Sequence, residues 1–506
     1  MQTIASIDVG SNAIRLLIGK VEENGQSETL ENLRVPVRLG KDTFSSGVIS
    51  EPNMQETVNA FSMFQKVIHD YGVSQFRAVA TSGMREAVNQ EILVNRILQA
   101  TGIQVDVISG QEEARLIHLA VSKAIDLQKH VALLVDIGGG SLEATLSVNG
   151  KILFAETYKI GVVRILTQLN QPDKPGIPIE DFVKEFIESP RRRIQKVLQN
   201  QQVSLLVGTG GNVEELGELS HELLSHRTNR IIRIEDLDTL IGLMGKLSFE
   251  ERIQKLGLRP DRADVIVPAA ILLKAIAKDA NRLEIAIPHT GLKEGVLLDL
   301  AEVVTNGAHP SRSEQVRISI QRLGSKYGTD EAHARHVVEL SAYIFDQTSS
   351  LHKLEPEYRL ILEAAAYLHD IGHFISTIDH DQHGYYILTA NPIIGLTDAQ
   401  QAIVANLVRF HRRQLPSPED TAFHILPQKD RSVVFKLLSI LRIADGLDTT
   451  RSGRVKRVNI KNDLSAWELD LIGDDDLLVE KWAAGKRKNL FCELFGVSLE
   501  IKKSSD

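Results

Sequence analysis

An aspartate that ends an aliphatic run and leads directly into a glycine- and serine-rich turn occurs twice in the chain. The copies are Ile7-Asp8-Val9-Gly10-Ser11-Asn12 and Val135-Asp136-Ile137-Gly138-Gly139-Gly140-Ser141. Such a turn aims backbone N–H groups at a phosphate while its carboxylate holds a metal ion or a water. One copy alone serves equally well as a tight hairpin that needs glycine for its positive φ; the repetition favours phosphate. A third turn, Gly208-Thr209-Gly210-Gly211-Asn212, follows an apolar strand and precedes a helical stretch from Val213, where the helix dipole adds to the N–H donors. A different chemistry is suggested further on by His333, His369-Asp370, His383, His411 and Asp445. An adjacent His and Asp can reach one ion from the same helix turn, with His333 and Asp445 closing the shell and His383 and His411 left for a second ion. A lone buried histidine is more often a satisfied core residue, but order and spacing together argue for metal.

Around each Asp-Gly turn an aliphatic run stops and another resumes, at Ile14–Val21 and Leu142–Val148, so each copy reads as a β-hairpin. Helical periodicity marks Pro52–Tyr71, Asn89–Thr101, Glu112–Ile125, Ile179–Gln199, Ile234–Lys246 and Arg262–Ala277. Phe76–Ala80, Val105–Ile108, Leu205–Val207 and Glu284–Ile287 read as strands. The expected class is α/β: two duplicated domains, 1–125 and 126–304, followed by a linker with Asn306-Gly307 and Pro310. An all-helical domain, 311–447, and a small α/β domain, 448–506, complete the layout. In the last, Val455–Ile460, Trp467–Ile472 and Cys492–Ile501 alternate as strands do.

The 506 residues exceed what one hydrophobic core supports, so about three or four domains are expected. Hydrophobic residues at 43% and charged residues at 25% describe a globular protein. The net charge of −8 argues against a nucleic-acid or membrane-surface binder that acts through its overall charge. A single cysteine, Cys492, excludes an internal disulfide framework and a cysteine-based zinc cluster. No apolar run reaches membrane-span length, and Met1-Gln2-Thr3 lacks signal-peptide features; a cytoplasmic location is expected.

Duplicated phosphate loops around one cleft are the pattern of the actin, hexokinase and heat-shock ATPase superfamily. Within it, Thr81-Ser82-Gly83-Met84-Arg85-Glu86-Ala87, Ile108-Ser109-Gly110-Gln111-Glu112-Glu113-Ala114-Arg115-Leu116, the Asp136 loop through Glu143, and Gly291-Leu292-Lys293-Glu294-Gly295 resemble the exopolyphosphatase and guanosine pentaphosphate phosphohydrolase (Ppx/GppA) family. The resemblance implies that Glu113 orients and deprotonates the attacking water. Glu112 is its rival, because consecutive helical residues point about 100° apart and only one can face a cleft. By the same resemblance Asp136 and Glu143, with a weaker part for Asp8, hold Mg²⁺ or Mn²⁺, and Arg85 clamps phosphate. Ser11, Asn12, Gly139, Gly140, Ser141, Gly210 and Gly211 would donate to phosphate oxygens. The expected reaction is release of orthophosphate from the end of inorganic polyphosphate, with guanosine pentaphosphate (pppGpp) as the alternative substrate at the same site. The family also implies a homodimer.

The His333, His369-Asp370, Asp445 series resembles HD-type metal-dependent phosphohydrolases. It raises a further alternative, a nucleotide phosphohydrolase in the helical domain with its own divalent metal. A kinase of the same fold and a non-catalytic polyphosphate or alarmone sensor are weaker readings, since the Glu112-Glu113 pair supplies a water base. A polyanion would need local basic tracks, for which Arg191-Arg192-Arg193, Arg227, Arg230, Arg233, Arg412-Arg413, Lys429 and Arg431 are candidates.

Overall fold

The computed structural model describes residues 2–22, 27–169, 178–199, 201–307, 309–412, 415–417, 419–463, 466–473 and 476–504. Met1, Ala308 and Arg413 lie outside them. The chain divides into two compact units, Met1–Pro310 and Ser311–Asp506.

The N-terminal unit is built on two sheets. In the first, β1 (Gln2–Val9) and β2 (Ile14–Val21) form the expected hairpin, β3 (Ser27–Val35) extends it, and β4 (Gln75–Ala80) and β5 (Val105–Val107) run parallel to β1, in the order β3-β2-β1-β4-β5. The second repeats the plan with β6 (Val131–Ile137), β7 (Leu142–Val148), β8 (Lys151–Tyr158), β9 (Leu205–Thr209), β10 (Ile231–Arg233) and β11 (Glu284–Ala286), in the order β10-β11-β9-β6-β7-β8. Each sheet thus places an antiparallel hairpin beside parallel strands, which fits an actin-like duplication. The hairpins align residue for residue: Asp8 lies opposite Arg15 across the first, and Asp136 opposite Glu143 across the second.

Packing holds the second glycine-rich loop down. Gly161 opens the turn before the helix Val162–Leu169, and a Cβ there would lie 2.3 Å from the backbone of Gly139 and Gly140. With no side chain in the way, the Val163 N–H donates to Gly139 O at 2.8 Å and the Val162 N–H to Gly138 O at 3.1 Å. The helix Gly110–Ala124 is capped by Ser109, whose Oγ accepts from the Glu112 N–H at 3.3 Å. Its first turn brings Glu112 and Glu113 into buried positions.

Several boundaries differ from the periodicity. Ile179–Gln199 is two helices, Ile179–Phe186 and Glu188–Leu198, with Pro190 in the first turn of the second, where proline's missing N–H costs nothing. Pro260–Ala263 and Ile266–Asp279 replace the single helix expected over Arg262–Ala277. The helix Leu292–Asn306 runs into the expected linker and stops at Gly307 in the left-handed conformation.

The C-terminal unit is helical from Pro310–Lys326 through Gln428–Gly446, around one apolar core. It ends in a three-stranded sheet of β12 (Arg457–Asp463), β13 (Ala466–Ile472) and β14 (Ser498–Lys503). Cys492 is not on a strand; Asn489–Phe495 is a helix that buries Leu490 and Phe491, so its apolar spacing belonged to a short amphipathic turn. Among the described residues no helix is long and apolar enough to cross a membrane.

Candidate functional site

A cavity of about 120 Å³ opens where the three glycine-rich turns meet. Asp8, Ser11, Asn12, Glu113, Asp136, Gly139, Ser141, Gly210 and Gly211 all line it. The Asp136 carboxylate accepts from Thr209 Oγ1 at 2.6 Å, and Asp8 is paired with Arg15 at 2.9 Å. Ser11 Oγ and Ser82 Oγ lie 3.2 Å apart, and Asn12 Nδ2 donates to the Asp261 carbonyl at 2.9 Å.

Three expected residues stand behind this wall. Gly140 turns its carbonyl to Arg164 Nε at 2.9 Å. Arg85 does not line the cavity as a phosphate clamp; its Nη1 donates to Ile108 O at 2.6 Å and reaches the Glu113 carboxylate at 3.4 Å, so it steadies Glu113. Glu143 is buried behind Asp136, its neighbour on the same face of the hairpin, and neither of its carboxylate oxygens has a hydrogen-bond partner. Helix rotation separates the two glutamates: Glu113 faces the cavity, whereas Glu112 takes both Arg115 Nε at 2.7 Å and Nη2 at 2.9 Å. Arg115 continues to Asp299 at 2.8 Å, so Glu112 belongs to a buried ionic brace.

The carboxylates are electrostatically crowded. Burial, helped by Asp136 and Asp8 and opposed by Arg85, pushes Glu113 up to about 8. Burial raises Asp136 to about 6 against the Thr209 hydrogen bond. Glu143 is raised well above the ordinary carboxylate range, first by burial and then by Glu113 and Asp136. Arg15 answers Asp8 in the first hairpin, but at the matching place in the second a further carboxylate answers Asp136. An all-oxygen set with orphaned acceptors suits a hard divalent cation.

Arg262 was not singled out from the sequence. It lines the cavity while 4% exposed, donates to Asn212 Oδ1 at 2.8 Å, and keeps an unpartnered Nε. Burial and nearby Arg15 bring its guanidinium down to about 10. Lys293 and Glu294, inside a quoted motif that carried no assigned role, also line the cavity. A polar Arg262 at the head of an apolar helix was the available signal.

The C-terminal unit gathers a second cluster. His333 Nε2 lies 3.2 Å from His369 Nε2, and Asp370 and Asp445 lie within 3.6–3.9 Å of those nitrogens. A second set joins Asp370 to His380 at 3.3 Å and to His411 at 3.8 Å. His380 takes the place expected for His383: a Cβ on Gly372 would lie 1.8 Å from His380 O, and this close approach brings the head of the helix His380–Ala390 onto Asp370. His383 sits one turn on, outside the two ligand sets found among the described residues. His333 Nδ1 is held by Asp448 at 2.8 Å, and His369 Nδ1 by Ala366 O at 2.7 Å, leaving both Nε2 atoms inward. Arg451 pairs with Asp370 and Arg487 with Asp445.

Four arginines of the candidate basic tracks are in ion pairs. Arg191 pairs with Asp279 at 2.6 Å, Arg192 with Glu188 at 3.0 Å, Arg193 with Glu156, and Arg233 with Glu284 at 3.3 Å.

Paired Asp-Gly hairpins with a buried glutamate between them define a phosphate-handling protein of actin-like architecture. The Ppx/GppA phosphatase family model matches residues 18–303, and the model of Ppx/GppA phosphatase, domain III, matches residues 316–482. The chain belongs to the Ppx/GppA phosphatase family. It is 27% identical to a guanosine-5'-triphosphate,3'-diphosphate pyrophosphatase of Photobacterium profundum over 86% of this chain and 85% of that one. It is 26% identical to exopolyphosphatase 1 of Mycobacterium tuberculosis, over 63% of this chain and 94% of that protein. A crystal structure of an exopolyphosphatase from Cytophaga hutchinsonii aligns with a TM-score of 0.55 and 26% identity, covering 60% of this chain and 98% of that one.

Proposed function

We propose that this phosphatase hydrolyses the terminal phosphoanhydride of inorganic polyphosphate. The observation that carries the reading is Glu113, buried in the cavity beside Asp136 and within reach of Arg85. A divalent cation, Mg²⁺ or Mn²⁺, held by Asp136 and Glu143 near Asp8, would supply positive charge to the phosphate oxygens. The loop amides of Gly139, Gly210 and Gly211 and the hydroxyls of Ser11 and Ser141 orient the terminal phosphoryl group. Arg262 offers its buried guanidinium to a phosphate oxygen. Glu113 accepts a proton from water as the water oxygen bonds to the terminal phosphorus. The bridging P–O bond breaks, and the shortened chain leaves with the bridging oxygen.

Guanosine pentaphosphate is the second reading at the same cleft, favoured by the pyrophosphatase relative whose similarity extends over 86% of the chain. The family resemblance adds a cytoplasmic homodimer. In the C-terminal unit, an HD-type reading assigns one divalent ion to His333, His369, Asp370 and Asp445, and a second to Asp370, His380 and His411, which could support a nucleotide phosphohydrolase.

Phosphate release from long-chain polyphosphate and from guanosine pentaphosphate with Mg²⁺ tests these readings. Glu113→Gln is expected to slow release by about 10²–10⁴-fold, while His369→Ala/Asp370→Ala retains it. The ratio of the two substrates in the native chain ranks them. Release that survives Glu113→Gln but not the double variant moves the chemistry to the C-terminal unit.

A further inference from the structure

A second cavity, of about 450 Å³, lies in the C-terminal unit and carries no role in the reading above. Arg412, Arg442, Lys486 and Arg487 line it, and Glu493 is the sole acidic residue of its described wall. Two of these cations are fixed. Arg442 is 7% exposed and donates through Nε at 3.0 Å and Nη2 at 2.6 Å to the carbonyl of Phe410, the residue before His411. Arg487 is drawn to Asp445, one of the carboxylates facing His333 and His369. Lys486 leans on the Trp482 ring, its Nζ 4.0 Å from the centroid. Burial and the nearness of Arg487 hold the Arg442 guanidinium down at about 10. Basic side chains gathered on one concave wall attract anions, and planar guanidinium groups match phosphate oxygens in bidentate fashion.

Arg487 belongs to both places. While it pairs with Asp445, it supplies the positive charge that a metal ion would otherwise bring to that carboxylate. A divalent ion on Asp445 competes with the guanidinium and releases it into the cavity. An anion in the cavity draws the guanidinium away and uncovers Asp445. We propose that the cavity of Arg412, Arg442, Lys486 and Arg487 binds a phosphate-bearing anion, and that this anion and a divalent ion at His333, His369, Asp370 and Asp445 promote each other's binding through Arg487. By linkage the effect is reciprocal. The coupling rests on the metal reading given above, whereas the anion site stands without it.

Calorimetric titration of the metal-free full chain in EDTA tests the anion site, with tripolyphosphate as one probe and GDP as the other. Arg412→Glu/Lys486→Glu, two changes at exposed side chains, is expected to remove one equivalent of bound tripolyphosphate that Arg262→Ala in the cleft leaves in place. Binding by tripolyphosphate alone identifies an inorganic polyphosphate site, and binding by GDP alone a nucleotide site. Unchanged stoichiometry of both probes in the charge-reversed chain overturns the anion site. Co²⁺ titration tests the coupling, because imidazole ligation gives the ion a visible spectrum distinct from that of an all-oxygen cleft. Inorganic phosphate is expected to tighten imidazole-bound Co²⁺ by about fivefold or more. Arg487→Ala is expected to tighten it without phosphate and to abolish the response. Co²⁺ that binds indifferently to phosphate overturns the coupling alone. If no Co²⁺ reaches imidazole, the metal reading fails together with the coupling, and the EDTA titration still decides the anion site.

Discussion

In the N-terminal cleft Asp136 stands opposite Glu143 with Glu113 nearby, and burial raises all three carboxylates. In the C-terminal cluster Asp370 and Asp445 are buried too, yet both are held below the ordinary range. Burial works against their charge there but is outweighed, chiefly by His369, then by His380 and His411 for Asp370 and by Arg487 and His411 for Asp445. The same side chain is thus driven towards its neutral form in one place and its charged form in the other, and its neighbours decide which. On the proposed metal reading, the oxygen-only cleft would exchange protons for a cation, whereas the cluster of imidazoles and carboxylates would exchange arginines for one.

The largest expected separation comes from matched carboxamide variants. Asp136→Asn relieves repulsion, so the metal-free chain should gain thermal stability near neutral pH while losing phosphate release. Asp370→Asn leaves Arg451 without its counter-charge and should cost about 1–3 kcal/mol in the same metal-free unfolding assay. A shift of the same sign in both would erase the contrast. Next in size, Gly161→Ala forces a Cβ into the Gly139–Gly140 backbone and Gly372→Ala forces one into His380 O. Overpacking of this kind costs about 1–3 kcal/mol. The first should abolish phosphate release and spare metal bound in the C-terminal unit, and the second should do the reverse, as assayed by turnover and by metal content.

A smaller effect follows pH. Because Glu113 and Asp136 titrate higher folded than unfolded, their contribution to metal-free stability is complete below the unfolded carboxylate range and is lost as pH rises through about 6 and about 8. The melting temperature in EDTA should therefore fall across that window, and the gain from added Mg²⁺ should grow with pH. A gain from Mg²⁺ that is flat with pH would separate the cation from these carboxylates. Least of all, His383→Ala should leave metal content unchanged where His380→Ala lowers it.

The hairpins of Asp8 and Asp136 were legible because an aliphatic run broken by glycine has few ways to fold, and the repetition exposed their shared plan. The helix at Glu113 was legible from its periodicity. Less visible were Arg262, which enters its site through the sequence-distant Asn212, and His380, which reaches Asp370 and His411 only because the backbone closes tightly at Gly372. The arginines of Arg191–Arg193 looked like a groove only while Asp279 and Glu156 were unseen.

What the sequence determined by itself was local: strand against helix, the places where glycine must turn, and the residue types available to hold phosphate or metal. Which of two adjacent glutamates faces a cavity, which of two nearby histidines meets Asp370, and whether an arginine serves a ligand or an ion pair were decided by tertiary structure. Facing and charge balance depend on groups brought together from distant parts of the chain, and burial then magnifies each pairing or its absence.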